Sequence, residues 1–392
     1  MTTEPRNVED SLSRLFSAAE ADDLRARELP HPTVRASMSD LQGAVLFGAG
    51  RFSRALLPAM RRKGLEPAWL VDNNPALWGQ RLEGVQIRAA SSLTEAGDRL
   101  VLIMTTYLQS MAQACRDAGV KRWAWFTDIH EVFGDVSIAV SAETVLSDPD
   151  IDRLAAILEG DEVSLCTLKG ALACRVTGET KDAPACLPDR YFAYDLIPPR
   201  AFSHFIDCGA FDGDTVREWL DSKALTFPPE QLRYHAFEPD PDNYSLLEKC
   251  VGEIPAAVRR RIVLHGCAVG DTSGSVGLIP GGDGTGVYKD HESGPVTPIA
   301  RLDDVLADEE VGTIKMDVEG FEPLALEGAR GILARQRPAL LISVYHRPEH
   351  LWKIPLWIHD LGLGYRIFLR HHSTTSSETV CYAVSTLPPD AP

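Results

Sequence analysis

Three side chains in the second half of the chain have the types that proton and cation chemistry needs. Asp317 and Glu319 stand two apart in TIKMDVEGFE, and His346 ends the apolar run ALLISVYH. Near the carboxyl end of a strand, residues two apart project to the same side. Two carboxylates there can deprotonate a hydroxyl or hold a cation, and an imidazole titrates near neutrality. Asp317, Glu319 and His346 are therefore the catalytic candidates, with His346 the first choice of general base and His371 and His372 behind it. Other readings are a helix cap for Glu319, on a helix starting near Pro323, and a hydrogen-bonded rim histidine for His346. A divalent cation shared by Asp317, Glu319 and His346 suits their chemistry, although no ligand spacing in the sequence requires one.

Upstream, FIDCGAFDGDT reads as a strand ending in Asp207, followed by a loop with Gly209, Ala210, Gly213 and Thr215. Small residues there let a ligand approach the backbone at the carboxyl edge of a parallel sheet. Thirty-one residues after Asp207, a second apolar run ends in Glu238, whose two oxygens can accept both hydroxyls of a ribose. Ala268, in HGCAVGD, leaves room for an adenine ring. The same logic serves dinucleotides and S-adenosylmethionine. Asp212 and Asp214 would repel a diphosphate, with no nearby Lys or Arg to compensate, whereas a sulfonium cofactor with a zwitterionic tail meets no such conflict. The expected contacts to S-adenosylmethionine are Asp207, Gly209, Ala210, Gly213, Thr215, Glu238, Ala268 and Asp317, with Asp207 facing the ammonium of the methionine moiety.

The elements that must position these residues alternate between strand and helix, which implies parallel α/β sheets. From Phe205 the strands read HFIDCG, RYHAFEP, RIVLHGCAVG, TIKMDVEG and ALLISVYH, then a hairpin-like pair, YRIFLRHHS and ETVCYAVS. An earlier series, AVLFGAG, PAWLVDNN, RLVLIMTT and KRWAWF, forms a smaller Rossmann-like unit. Its glycine turn at Gly48 and Gly50 has Ser53 where the dinucleotide fingerprint wants a third glycine, and Asp72 lies 24 residues after Gly48. Gly48, Gly50 and Asp72 are the candidates for a second nucleotide site, the competing readings being acceptor docking and a scaffold without a ligand. Trp69, Trp78, Trp123 and Trp125 read as core or domain-interface residues or as sugar-stacking surfaces. The expected organisation is a helical or partly disordered lead-in over 1–39 and a small Rossmann-like domain, for a nucleotide or nucleotide-sugar, over 40–135. A helical linker follows over 136–200, then the main α/β domain over 201–387. The first helix is expected over Val8–Glu28, ended by Pro30 and Pro32.

The order of these pieces resembles the FkbM-type methyltransferase family. The resemblance rests on YFAYDLI, FIDCGAFDGDT, HAFEPDPDNY, GCAVGD, VTPIARLDD, IKMDVEGFEPLALEGA and RPALLISVYHRPEHLW, across about half the chain. It implies a class I methyltransferase fold for the C-terminal part. With the earlier unit, which looks like the small Rossmann domains of sugar-modifying enzymes, the expected architecture is two Rossmann-like domains, the C-terminal one a class I methyltransferase sheet with an antiparallel C-terminal strand pair. It also implies S-adenosylmethionine and methyl transfer to a hydroxyl of a saccharide or similar hydroxylated metabolite. By position, Asp207, Gly209 and Gly213 match the cofactor loop, Glu238 the ribose acid, and Asp317 and Glu319 the D-V-E pair. Many members carry an acid before a histidine at the end of the fifth strand, and here that strand reads LLISVYH without it. The competing functions are a nucleotide-sugar oxidoreductase using NAD(P) and a non-catalytic protein that binds cofactor or nucleotide-sugar.

Composition narrows the partners. A formal charge of −17 argues against nonspecific nucleic-acid binding, and no apolar run approaches a membrane span. The eight cysteines contain no C-x-x-C pair and read as reduced thiols of a cytoplasmic protein. The acidic, polar N-terminus does not read as a signal peptide. The expected partner is a small-molecule or saccharide acceptor, free or nucleotide-linked.

Overall fold

The computed structural model describes residues 15–105, 107–129, 132, 139–222, 226–279, 286–288 and 295–386. The start of the expected first helix, residues 8–14, lies outside them. The described helix, Ala18–Ala26, opens on a capping box between Ser17 and Glu20. By its contacts the chain divides into two units, one holding Phe16–Ser147 and Leu172–Ala183, the other Asp148–Ala171 and the chain from Pro184 onward. Among the described residues no helix is long and apolar enough to cross a membrane.

The first unit carries β1 (Val45–Phe47), β2 (Trp69–Asp72), β3 (Arg81–Leu82), β4 (Val85–Ala89), β5 (Val101–Ile103) and β6 (Trp123–Trp125), in the order β3-β4-β2-β1-β5-β6. All neighbours are parallel except β3 and β4. β1 and β5 are buried along their whole length, as strands covered on both faces must be, and their residues are accordingly apolar throughout. The β3–β4 hairpin is absent from the sequence-based reading. Its turn residues Glu83 and Gly84 both have positive φ, 48° and 79°, the geometry of a tight two-residue hairpin.

The second unit holds the larger sheet: β7 (His204–Cys208), β8 (Arg233–Phe237), β9 (Ile262–His265), β14 (Thr313–Met316), β15 (Ala339–Ser343), β16 (Tyr365–His371) and β17 (Thr379–Ser385). Its order is β16-β17-β15-β14-β7-β8-β9, parallel from β15 to β9, with β17 antiparallel to β15 and β16 antiparallel to β17. This is the expected sheet with its antiparallel C-terminal pair. The expected single strand RIVLHGCAVG is two: β9 stays in the main sheet, while β10 (Ala268–Val269) leaves it. β10 joins β11 (Gly274–Ile279), β12 (Gly286–Tyr288) and β13 (Val296–Ala300) in a small sheet of order β10-β13-β11-β12. Phe205 stacks on Tyr234 at 5.3 Å and Tyr234 meets Trp219 at 4.9 Å, forming an aromatic block beneath β7 and β8.

Strand order reverses between β7 and β14: the chain runs outward from β7 through β8 to β9, then returns to build β14 and β15 on the other side. Open α/β sheets take their ligands in the crevice at such a point, outside the carboxyl ends of the strands. The loop from Gly209 and the loop from Asp317 leave the sheet there.

Candidate active site

The two loops are built against each other. At Gly209, with φ +82°, a Cβ would stand 1.9 Å from the carbonyl oxygen of Asp317. Gly213, with φ +89°, opens the helix Asp214–Asp221, and a Cβ there would stand 2.8 Å from Cys250 Sγ. By sequence these glycines make room for a ligand. The structure adds a different reason, since each is required by neighbouring protein atoms. Ala210 and Thr215 are buried beside them.

Asp207 is fully buried. Its Oδ1 lies 2.9 Å from Lys315 Nζ, and its Oδ2 accepts from the Tyr234 hydroxyl at 2.7 Å. Lys315 Nζ also donates to the Gly209 carbonyl at 2.6 Å. Burial alone would lower the Lys315 pKa, but the Asp207, Asp317 and Asp214 charges override it and hold the ammonium protonated. Asp207 therefore joins β7 to β14 through a buried ion pair. Asp212 and Asp214 also have partners that sequence adjacency missed: Arg217 at 2.7 Å and Arg190 at 2.9 Å. Their repulsion of a diphosphate is thereby offset, and the charge argument against a dinucleotide falls away.

Glu238 follows β8 and is buried. One oxygen accepts from Phe211 N at 2.9 Å, the other from Asp240 N at 2.9 Å and Asn243 Nδ2 at 3.5 Å. Burial pushes its carboxyl up to about 7, against the pull of the Asp240 and Phe211 N–H groups. Ala268 is buried in β10.

Around β14 and β15 the structure gathers Asp317, Glu319 and His346. Nε2 of His346 lies 3.3 Å from Asp317 Oδ1 and 3.6 Å from Glu319 Oε2. The His346 side chain is 7% exposed, Asp317 19% and Glu319 32%, so the cluster opens on the Glu319 side. On the other face of the ring, Nδ1 lies 2.8 Å from Glu322 Oε1, a residue the sequence reading passed over. Glu322 is fully buried. The same oxygen accepts from Val318 N at 3.1 Å and Gly320 N at 3.3 Å, and its second oxygen lies 3.3 Å from His350 Nδ1. The one signal for it was a glutamate just ahead of Pro323, where exposed first-turn N–H groups attract a carboxylate. Glu319 caps nothing, and the helix Glu322–Glu327 has no side-chain cap at Phe321.

Two tyrosines complete the surroundings: Tyr191 donates to Asp317 Oδ2 at 2.9 Å and Tyr345 to Asp317 Oδ1 at 3.0 Å. Burial would raise the Asp317 pKa, but His346, Lys315 and Tyr191 hold it below the usual range. Glu322 is held well below that range by His346 and His350, against burial. Burial would lower the His346 pKa, but Glu322 and Glu319 raise it well above an ordinary imidazole. His371 and His372 are saturated: His371 bonds Thr379 Oγ1 at 2.9 Å and Thr375 O at 2.8 Å, and His372 bonds Leu187 O at 3.0 Å and Tyr382 OH at 2.9 Å.

Tyr191, Phe211, Glu319 and Glu378, four residues of this region, have φ of 65°, 47°, 53° and 67°. Left-handed backbone at side chains other than glycine is costly and collects where function needs it.

In the first unit, Asp72 Oδ2 accepts from Ala49 N at 2.8 Å and Oδ1 from Asn74 N at 2.8 Å, so Asp72 fastens the turn that holds Gly48 and Gly50. Ser53 is buried and donates to the Gly48 carbonyl. Trp123 and Trp125 are buried in edge-to-face contact at 4.9 Å, and Trp69 is buried under Arg88. Trp78 is exposed and bonds the Asp72 carbonyl through Nε1 at 2.8 Å.

Residues 207–367, which span both loops and the His346 strand, match the family model described as the methyltransferase FkbM domain. The chain carries an FkbM methyltransferase domain. That match supports a methyltransferase. The solved structure of methyltransferase FkbM from Methylobacillus flagellatus KT shares the fold, with a TM-score of 0.56 and 23% identity over 96% of this chain and 95% of that one. A fibrillarin from Aeropyrum pernix, solved with S-adenosyl-L-methionine, aligns over 48% of this chain and 69% of its own, with 16% identity and a TM-score of 0.31. No curated protein matches the sequence.

Proposed function

We propose that this FkbM methyltransferase domain moves the methyl group of S-adenosylmethionine to a hydroxyl of a saccharide or similar hydroxylated metabolite. The observation that carries this reading is the convergence of Asp317, Glu319 and His346 at the switch point of the sheet, within one loop of Gly209 and Glu238. S-adenosylmethionine supplies an electrophilic methyl on a sulfonium. The residues present fit it: Glu238 offers a buried carboxylate for ribose hydroxyls, and the Gly209–Gly213 turn offers backbone at the crevice. Asp207 serves by fixing that turn through Lys315. Asp317, Glu319 and His346 face the acceptor hydroxyl and lower the cost of removing its proton, through His346 itself or through a cation held beside it. Holding the acceptor oxygen in line with the methyl is the other large contribution.

For the first unit, we propose a nucleotide or nucleotide-sugar at the turn of Gly48 and Gly50. The exposed Trp78 beside Asp72 supports this, as a flat surface on which a sugar or base can stack.

The test is calorimetric titration with S-adenosylhomocysteine, with NADH and a UDP-sugar run in parallel. The expected result is binding of S-adenosylhomocysteine that Glu238→Ala abolishes, followed by transfer of labelled methyl from S-adenosylmethionine to a member of a sugar and nucleotide-sugar panel. Folded protein that binds NADH and not S-adenosylhomocysteine would favour the oxidoreductase instead.

A further inference from the structure

The cluster around His346 has a feature that methyl transfer alone does not require. Nε2 of His346 is buried, has no hydrogen-bond partner, and faces Asp317 and Glu319. The other ring nitrogen is taken by Glu322, which is itself anchored by two backbone N–H groups and backed by His350. A histidine fixed on one nitrogen by a carboxylate, with the other nitrogen turned to further carboxylates, is the arrangement found at metal-ligating imidazoles.

The distances agree with that arrangement. Donor atoms bound at about 2.1 Å stand about 3.0 Å apart across an octahedral edge and about 3.4 Å apart across a tetrahedral one. The 3.3 Å separation from Nε2 to Asp317 falls in this range and the 3.6 Å separation to Glu319 lies just beyond it, and both are longer than a good N–H···O bond. Asp317, Glu322 and His346 place donor atoms within 4.8 Å of one another; Glu322 meets the ring at Nδ1, and on the Nε2 side its place beside Asp317 is taken by Glu319. Lys315 acts on Asp317 only through space, since its ammonium is held by Asp207 and the Gly209 carbonyl. Asp317 is steadied by Tyr191 and Tyr345, as ligating carboxylates usually are by their own hydrogen-bond partners.

We propose that Asp317, Glu319 and Nε2 of His346 hold one divalent first-row cation, with Glu322 as the residue that orients His346. Two carboxylates and one imidazole suit manganese or zinc better than calcium, which takes six to eight oxygens. Three protein ligands leave coordination positions open. This inference rests on the methyltransferase reading for its purpose: an acceptor hydroxyl in an open position becomes more acidic. Its proton leaves to water on the exposed Glu319 side, its oxygen forms the new bond to the methyl carbon, and the electron pair of the broken carbon–sulfur bond stays on sulfur.

The experiment strips the full-length protein with EDTA and titrates it with Mn²⁺, followed by calorimetry and by the paramagnetic resonance of free Mn²⁺, then repeats the titration with Zn²⁺. One ion per chain is expected. His346→Ala should abolish binding, and Glu319→Gln, on the exposed side where folding is least at risk, should weaken it at least about tenfold. Glu322→Gln should cost about 10–100-fold, the usual effect of losing the partner that orients a ligating histidine. Folded, stripped protein that takes up neither ion overturns the site, as does binding that survives in both His346→Ala and Glu319→Gln. S-adenosylhomocysteine is titrated into the same stripped sample. Its binding without any metal uptake removes the cation and leaves the methyltransferase reading intact, while metal uptake without S-adenosylhomocysteine binding keeps the cation and removes that reading.

Discussion

Glu238 should make both stability and ligand affinity depend on pH, in opposite directions. Its carboxyl sits at about 7 in the folded protein, against an ordinary value of 4.5. A carboxyl raised on folding stabilises fully below its unfolded pKa and loses that stability as pH rises through its folded pKa. Integrating between pH 5 and pH 8 with those two values gives a loss of about 2.5 kcal/mol from this one group. Ligand binding has the opposite sign, because the ionised carboxylate is the better acceptor for ribose hydroxyls. About a tenth of Glu238 is ionised at pH 6 and about nine tenths at pH 8, so S-adenosylhomocysteine should bind about tenfold more tightly at pH 8. The assays are urea unfolding and calorimetric titration of wild type and Glu238→Gln at the two ends of each range. Glu238→Gln should lose both slopes, although it also weakens the fold by turning an amide N–H toward the donor at Phe211 or Asp240. A wild-type affinity that stays flat from pH 6 to pH 8, or a Glu238→Gln variant that keeps the wild-type slopes, would refute this account of the group.

Two further outcomes follow from the same region. Lys315→Met leaves Asp207 as a buried, unpaired carboxylate and should cost about 3–5 kcal/mol in urea unfolding; a loss below about 1 kcal/mol would mean that the pair is not holding β7 to β14. Gly209→Ala puts a methyl group 1.9 Å from the Asp317 carbonyl oxygen at φ +82°, where neither backbone can yield cheaply. A loss on the order of 3 kcal/mol or outright failure to fold is expected, and a variant of wild-type melting temperature would contradict the close approach of the two loops.

Much of the frame was legible in the chain. Apolar runs ending in Asp207, Glu238 and Asp317 located the carboxyl ends of three strands of the main sheet, and alternation of strand and helix implied their parallel order. The parts that escaped have physical causes. The β3–β4 hairpin is too short for periodicity to register, and its turn at Glu83 and Gly84 resembles any surface loop. The break between β9 and β10 at Gly266 and Cys267 lies inside one apolar run, and only the competition between two sheets splits it. Glu322 was read past because its partners, His346 and His350, come from the end of β15 and the helix that follows it.

By itself the sequence determined which residue types stand at the ends of the strands, because local apolar patterning and turn residues act over a few positions. It thereby determined the fold class and the segments that would meet at the crevice. The tertiary structure decided what each carboxylate does there. Asp207 and Glu238 both follow apolar runs, yet one is neutralised by Lys315 from a neighbouring strand and the other is left buried with its carboxyl near neutrality. Asp72, the acid of the first unit, is bound to the turn it was expected to serve. A carboxylate takes its character from burial and from charges within a few ångströms, and those neighbours arrive from remote parts of the chain only when the sheet has assembled.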